Sequence, residues 1–366
     1  MQVIYIDYAS EGNSGFYTAR IIESYNLNVP FLAFVHSGYS YTPSNKRVIK
    51  IFDNFSKFIK FRPAKLFIRY IDIYLCFLII LIRLKIKSAN KKLIVILNFH
   101  QSFHSYKFFT SALSRFSRVF IVVHDAIELK HKYPSCIMSD RDEILNYADS
   151  LVVHGEDSIE KLSYLSKKIY QIPFPVNKNH KIKFSKKNLD EEIKFLFIGH
   201  IRAEKGVDIL LGAWRGMPQS YLSKAKLVIA GTYDPSLAYD FSNINNCEIK
   251  NQYLSDEDFV RLILESDYVV MPYTGGTNSG VLSVAASLNR PCITSSIPVF
   301  SDSPFGIAEL MYKEENALQD CIKRAINNHQ TRYMPMLNNL KKKCSDYNVN
   351  FDNEINSFYK KITNEY

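Results

Sequence analysis

The 366-residue sequence is poor in the residues that mark several common protein classes. Glycine and proline number 13 each, too few for a fibrous or low-complexity chain. The six cysteines, Cys76, Cys136, Cys247, Cys292, Cys321 and Cys344, are scattered. None forms a CxxC pair, which removes zinc-site spacing and a dense disulfide framework and leaves reduced thiols as the expectation. No HExxH, GxxxxGK[ST] or GxSxG is present, so zinc protease, P-loop ATPase and α/β-hydrolase readings lose their main support. The longest apolar run, Ile73 to Ile82, is shorter than the roughly 18–20 residues that span a bilayer. Extending it back to Leu66 brings in Arg69 and Asp72, which favours a buried or membrane-surface helix over a span. The opening Met1-Gln2-Val3-Ile4-Tyr5-Ile6-Asp7 has no positive n-region or cleavage site and reads as a strand.

Acidic residues are also scarce in one place. Between residues 41 and 120 sixteen Lys and Arg face only Asp53 and Asp72, an excess of fourteen against a whole-chain net charge of +10. The same window carries Phe52, Phe55, Phe58, Phe61, Phe67, Tyr70, Tyr74 and Phe77. Basic side chains beside aromatic rings suit an anionic membrane surface, where charges meet headgroups and rings enter the interface. An ordinary solvated face over a core helix is the plainer alternative. Nucleic acid is not expected as a partner, because no helix-turn-helix, zinc-finger or RNP pattern accompanies the charge.

What is present is strand–helix alternation in two rounds. Hydrophobic residues make up 47% and charged residues 22%, as in a globular chain long enough for two domains. In the first round Val3–Asp7 precedes a glycine loop over Ala9–Gly15 and a helical pattern. Leu93–Asn98, Val119–Val123, Leu151–His154 and Ile169–Ile172 are further short runs. A polar, lysine-rich stretch from Asn177 to Glu192 reads as a linker. The second round holds strands at Phe195–Ile198, Lys226–Ala230, Cys247–Ile249, Tyr268–Met271 and Cys292–Thr294, and a helix over Asp256–Glu265 with Ser255 as N-cap. Ile355, Phe358, Tyr359 and Ile362 share one helical face. Short buried runs alternating with helices predict parallel sheets covered on both faces. The expected fold class is α/β, with two Rossmann-like doubly wound sheets facing across a cleft. The expected boundaries are 1–180, a linker over 181–192, 193–345, and a closing helix over 346–366.

Ligands of open parallel sheets bind beyond the carboxyl ends of the strands. Three places of that kind stand out. Gly199 to Gly206 holds Arg202 and Lys205, a planar fork and a point charge suited to a diphosphate. Pro272 to Leu282 opens a helix with small residues, Thr277, Asn278, Ser279, Gly280 and Val281, leaving amide N–H groups uncovered where helix-terminal positive charge collects. His124-Asp125 ends an apolar strand and could bond a sugar hydroxyl or move a proton. Gly12, Gly15 and His100 occupy similar strand-end places in the first half.

"FLFIGHIRAEKGVDILLGAW", "KLVIAGTY" and "SDEDFVRLILESDYVVMPYTGGTNSGVLSVAASLNRPCITSS" closely resemble the nucleotide-sugar half of GT-B glycosyltransferases of the glycosyl transferases group 1 (GT4-like) family. The resemblance runs from about Ile193 to Ala325. The first half is a looser match, through "VVHDA", "ADSLVVHGEDSIEKL" and "YQIPFPV". It implies transfer of a sugar from a nucleotide diphosphate sugar to a glycan or lipid-linked acceptor, with no metal or other cofactor required. It gives Lys205 the family's phosphate-binding role, with His200 at the usual arginine position and Arg202 as substitute. Gly199 lines the same site, Thr277–Val281 hold the distal phosphate, and His124, with Asp125 beside it, faces the transferred sugar. Gly12, Gly15 and His100 lie on the acceptor side, and the resemblance also implies that the closing helix crosses back to the first domain. The two family glutamates fall on Gly276 and Val284, which leaves sugar identity and stereochemistry unassigned. The setting implied is bacterial surface polysaccharide synthesis, lipopolysaccharide O-antigen or capsule, by a cytoplasmic protein peripheral on the inner membrane face. A sugar-nucleotide epimerase of the same architecture, or an inactive sugar- or membrane-binding protein, are the alternatives.

Overall fold

The computed structural model describes residues 1–10, 12–39, 47–52, 62–100, 102–126, 135–176, 192–233, 239–276 and 279–365. The linker expected over 181–192 lies outside the described residues except for Glu192, as do Lys46, Lys57, Lys60, Thr277 and Asn278.

The chain divides into two compact units, Met1–Pro175 with Phe351–Tyr366, and Val176–Asn350. The first unit runs β1 (Gln2–Asp7), α1 (Gly12–Glu23), β2 (Phe31–His36), β3 (Arg47–Phe52), α2 (Arg62–Ser88), β4 (Leu93–Phe99), α3 (His104–Leu113), β5 (Arg118–Val123), α4 (Arg141–Asn146), β6 (Ser150–Val153), α5 (Glu156–Leu162) and β7 (Lys168–Gln171). Its seven strands are all parallel, in the order β3-β2-β1-β4-β5-β6-β7. Every residue of β1 and β4 is buried, so both faces of the sheet are covered. On one face Ile4, Ile6, Val95, Leu97 and Ile121 pack with Phe77, Ile80 and Leu84 of α2 and Phe109 of α3. Phe120, of opposite parity, turns to the other face and meets Phe358 edge-on.

The second unit runs β8 (Ile193–Ile198), α6 (Val207–Arg215), α7 (Gln219–Leu222), β9 (Ala225–Ala230), β10 (Cys247–Lys250), α8 (Asp256–Glu265), β11 (Tyr268–Met271), α9 (Gly280–Ser287), β12 (Cys292–Ser295), α10 (Pro298–Ser301), β13 (Met311–Tyr312), α11 (Leu318–Asn327) and α12 (His329–Asn364). Its strands are parallel in the order β10-β9-β8-β11-β12-β13. Ser255 caps α8 as expected, its hydroxyl accepting from the Asp258 N–H at 3.1 Å. Trp214 of α6 is buried and donates its indole N–H to the Asn245 carbonyl at 2.9 Å. Helix α12 begins well before the expected 346, at His329. Its residues 329–350 belong to the second unit and 351–364 to the first.

Two expectations change. Gly12 and Gly15 do not sit in a loop: both lie in the first turns of α1. The reversal after β1 is made earlier, at Asp7–Ser10, where the Asp7 carboxylate accepts the Ala9 N–H at 2.9 Å and Ser10 donates to the Asp7 carbonyl at 2.9 Å. That local hydrogen bonding does what a glycine turn would do. Strands β2 and β3, which the sequence reading did not place, complete one side of the first sheet.

Candidate functional site

Both sheets have the same connectivity up to the sixth strand. The chain steps outward three strands in one direction and then returns to the other side of the first, placing a topological switch point between β1 and β4 and between β8 and β11. Ligand sites of such sheets lie beyond the strand ends at that point, where successive loops diverge and leave a crevice.

In the second unit the two loops at the switch point are the ones singled out from the sequence, and the fold joins them. The Thr274 N–H donates to the Glu204 carbonyl at 3.0 Å. Gly206, at φ +64°, lies against Pro272: a Cβ built there would sit 1.9 Å from the Pro272 carbonyl oxygen. Only glycine permits both that backbone conformation and that approach. Gly231 acts likewise beneath Gly199, where an added Cβ would come within 1.8 Å of the Gly199 carbonyl oxygen. Gly199 itself, at φ +121°, faces the Val281 side chain. Gly199, Arg202, Lys205 and the start of α9 are therefore gathered at one strand-end crevice.

The cations are held by their neighbours. Lys205 Nζ lies 3.6 Å from the centroid of the buried Tyr273 ring, and Arg202 Nε pairs with Glu204 Oε1 at 2.7 Å. Cation–π contact fixes the lysine head without neutralising it, whereas the Glu204 pair partly offsets Arg202. His200 Nδ1 is 2.8 Å from the Thr232 hydroxyl. Ser279 is the N-cap of α9, accepting from the Leu282 N–H at 3.2 Å. Gly275, Gly276 and Gly280 have no atom within 4 Å of a built Cβ, so this lip of the crevice is open. Gly276 and Val284, where the family's glutamates would fall, are an exposed glycine at φ +139° and a buried core residue.

In the first unit Asp7 is a fully buried carboxylate at the end of β1. It accepts from Asn98 Nδ2 at 2.8 Å, His100 Nε2 at 2.8 Å and the Thr18 hydroxyl, besides the Ala9 N–H. Burial alone would raise its pKa, but the charge of His100 and the hydrogen bonds outweigh burial and hold it below the usual carboxylate range. An ionised carboxylate only accepts, so it orients its donors. With Asn98 Nδ2 turned to Asp7, Asn98 Oδ1 accepts from His124 Nε2 at 2.7 Å, which places the proton of neutral His124 on Nε2. His124 is flanked by His100 and His154, the rings stacked at 5.3 Å on each side. Burial, then repulsion from His100 and His154, depresses the His124 pKa well below the ordinary histidine value. Burial also lowers His154, to about 4, with the Ile172 and Pro173 carbonyls acting in the opposite sense. Tyr17 from α1 lies edge-on to His124 at 4.6 Å and to His154 at 5.3 Å. Asp125 is exposed beside this stack.

The structure thus brings His100 and His124 together and places Gly12 and Gly15 in the first turns of α1. The sequence reading missed Asp7, Asn98, His154 and Tyr17. Three of the four stand at strand ends, the same position that flagged His124.

Residues 192–328 match the family described as Glycosyl transferases group 1. No curated protein sequence matches the chain. Among solved structures, sucrose-phosphate synthase from Thermosynechococcus elongatus aligns over 100% of both chains at 14% identity and TM-score 0.67. HepE from Anabaena, in complex with UDP-glucose, covers 99% of this chain and 100% of its own at 11% identity and TM-score 0.65. An E. coli trehalose-6-phosphate structure bound with UDP-2-fluoro glucose covers 100% of this chain and 98% of its own at 11% identity and TM-score 0.61. The fold is the GT-B fold of these neighbours, and the family match falls within the second unit.

Proposed function

We propose that this protein is a nucleotide-sugar-dependent glycosyltransferase whose donor diphosphate seats in the second unit, at the crevice between the loops after β8 and β11. The observation that carries this reading is the joining of those loops at the switch point, which sets Lys205, Arg202 and the N-terminus of α9 beside one open lip. Departure of a nucleoside diphosphate develops negative charge. Lys205 and Arg202 are fixed cations for that charge, and the amides of Gly280 and Val281 at the start of α9 add helix-terminal dipoles. Arg202 must exchange Glu204 for phosphate. The neighbours solved with UDP-glucose and UDP-2-fluoro glucose make UDP the first nucleoside diphosphate to test.

The Asp7-centred cluster of the first unit serves the acceptor. His124, whose Nε2–H donates to Asn98, bonds a hydroxyl of the transferred sugar or moves its proton, with Asp125 beside it, and His100, held by Asp7, lies on the acceptor side. The acceptor is a glycan or lipid-linked saccharide of bacterial surface polysaccharide synthesis, lipopolysaccharide O-antigen or capsule, met at the inner face of the cytoplasmic membrane.

The test is a thermal-shift panel of UDP, GDP, ADP and dTDP, followed by donor turnover with lipid extract. One nucleoside diphosphate should stabilise the wild type and not Lys205→Ala, and its sugar conjugate should be consumed. A panel in which no nucleoside diphosphate binds, or in which Lys205→Ala binds as well as wild type, overturns the donor site.

A further inference from the structure

Helix α2 is apolar on two sides. One side, through Ile73, Phe77, Ile80 and Leu84, is buried in the first unit's core. On the other side Phe67, Ile71, Leu75, Leu78, Ile82 and Ile86 recur at three- and four-residue steps and are exposed by 60, 40, 48, 38, 55 and 69%. The patch widens through Tyr74, whose ring lies 5.5 Å from that of exposed Phe108 on α3. Isolated exposed hydrophobics are ordinary, but a continuous stripe along a helix of 27 residues, about 40 Å long, marks an interaction surface. Among the described residues no helix is long and apolar enough to cross a membrane.

The charges around the stripe select its occupant. Lys65, Arg83 and Lys85 are exposed along its borders, and the single acid of the helix, Asp72, is buried. At the helix end Arg47, Lys91 and Arg83 crowd Lys87, and their repulsion adds to burial in lowering its pKa. An anionic surface relieves that repulsion. A second copy of the same face would double it.

We propose that α2 lies flat on an anionic bilayer, with its Phe67–Ile86 stripe in the interface and its flanking lysines and arginines at the headgroups. This deepens the membrane location proposed above and names the element that makes the contact. It also changes the expected chemistry of attachment. Charge alone gives binding that salt releases, whereas an inserted apolar stripe holds on when charge is screened.

The test is vesicle co-sedimentation without donor or acceptor, so that its failure leaves the sugar-transfer reading standing. Wild type should bind phosphatidylcholine vesicles containing about a third phosphatidylglycerol roughly tenfold or more better than neutral ones. Roughly half-molar salt should weaken this binding and not abolish it. Ile71→Ser, Leu75→Ser, Leu78→Ser and Ile82→Ser combined should lose about tenfold or more, with an unchanged far-UV spectrum. Because the combined variant could misfold, Ile82→Trp gives a second reading: brominated lipid should quench the new tryptophan, while the one native tryptophan, Trp214, is buried in the other unit. Absence of binding to anionic vesicles at low salt, unquenched Ile82→Trp, or a stable dimer abolished by the Ser substitutions overturns the proposal.

Discussion

Acid should destabilise the first unit through its stacked histidines, and the size of the effect follows from one residue. His154 is half-buried, with Tyr17 and Phe174 edge-on and His124 stacked on it. Its pKa falls from 6.5 to about 4 in the folded protein. Between those values the unfolded chain binds a proton at this site and the folded chain does not. Stability contributed above pH 6.5 is therefore lost as pH falls toward 4. A depression of about two and a half units corresponds to about 3 kcal/mol, or about 2 after allowing for the ring's partial exposure. His124 is depressed in the same direction and steepens the loss. Asp7, held below the usual carboxylate range, extends it to lower pH. The assay is urea unfolding followed by far-UV circular dichroism from pH 7.5 to 4, on wild type and His154→Gln. Glutamine keeps a polar side chain and removes the titration. Wild type should lose about 2 kcal/mol more than the variant over that range. Trp214 fluorescence, which reports the second unit, should show no such difference. Parallel pH profiles for the two proteins would refute the reasoning.

The donor and acceptor sites give four further expectations. Lys205→Ala should lower donor turnover about 10²–10³-fold while the protein stays folded, as steady-state kinetics with circular dichroism will show. Gly280→Val should leave the melting temperature near wild type, since the added Cβ meets no atom within 4 Å, yet calorimetry should find weaker nucleoside-diphosphate binding with the nucleoside little affected. Gly206→Ala should cost about 2–4 kcal/mol in chemical denaturation, because its Cβ would stand 1.9 Å from the Pro272 carbonyl oxygen at a φ of +64°. His124→Ala should depress transfer with nucleoside-diphosphate affinity nearly intact; equal loss of both would make the residue structural.

The second unit was more legible in the sequence than the first. Its strands end in glycine or proline at Gly199, Gly231 and Pro272, and that punctuation is local. The loop pairing that joins Gly206 to Pro272 is not local, and no residue pattern announces it. In the first unit Asp7 reads as the end of an apolar run, and its role as a hub depends on Thr18, Asn98 and His100 arriving from other elements. Strand β2 follows Pro30 as a short apolar run whose type periodicity alone leaves open. The two-sided hydrophobicity of α2 was visible as Ile73–Ile82, but which side stays uncovered is a property of the packing. Helix α12 was recognised only near its end, because polar residues dominate 337–350 and Pro335 interrupts the pattern.

The tail of that helix bears on how the protein is made. Phe351, Ile355, Tyr359 and Ile362 are buried in the first unit, Asp352 meets Arg20 and Ser24, and Glu365 meets Lys168 and Tyr170. These contacts join residues up to 332 positions apart in sequence. While a ribosome synthesises Val176–Asn350, the sheet it finished earlier still lacks part of its cover. At about 5–20 residues per second, that interval lasts on the order of ten to thirty seconds. Through it, Tyr25 and Phe120 lack the rings of Tyr359 and Phe358 that later cover them. The first unit to emerge is thus completed last, and premature termination anywhere in the second unit leaves an unsealed hydrophobic surface in the first.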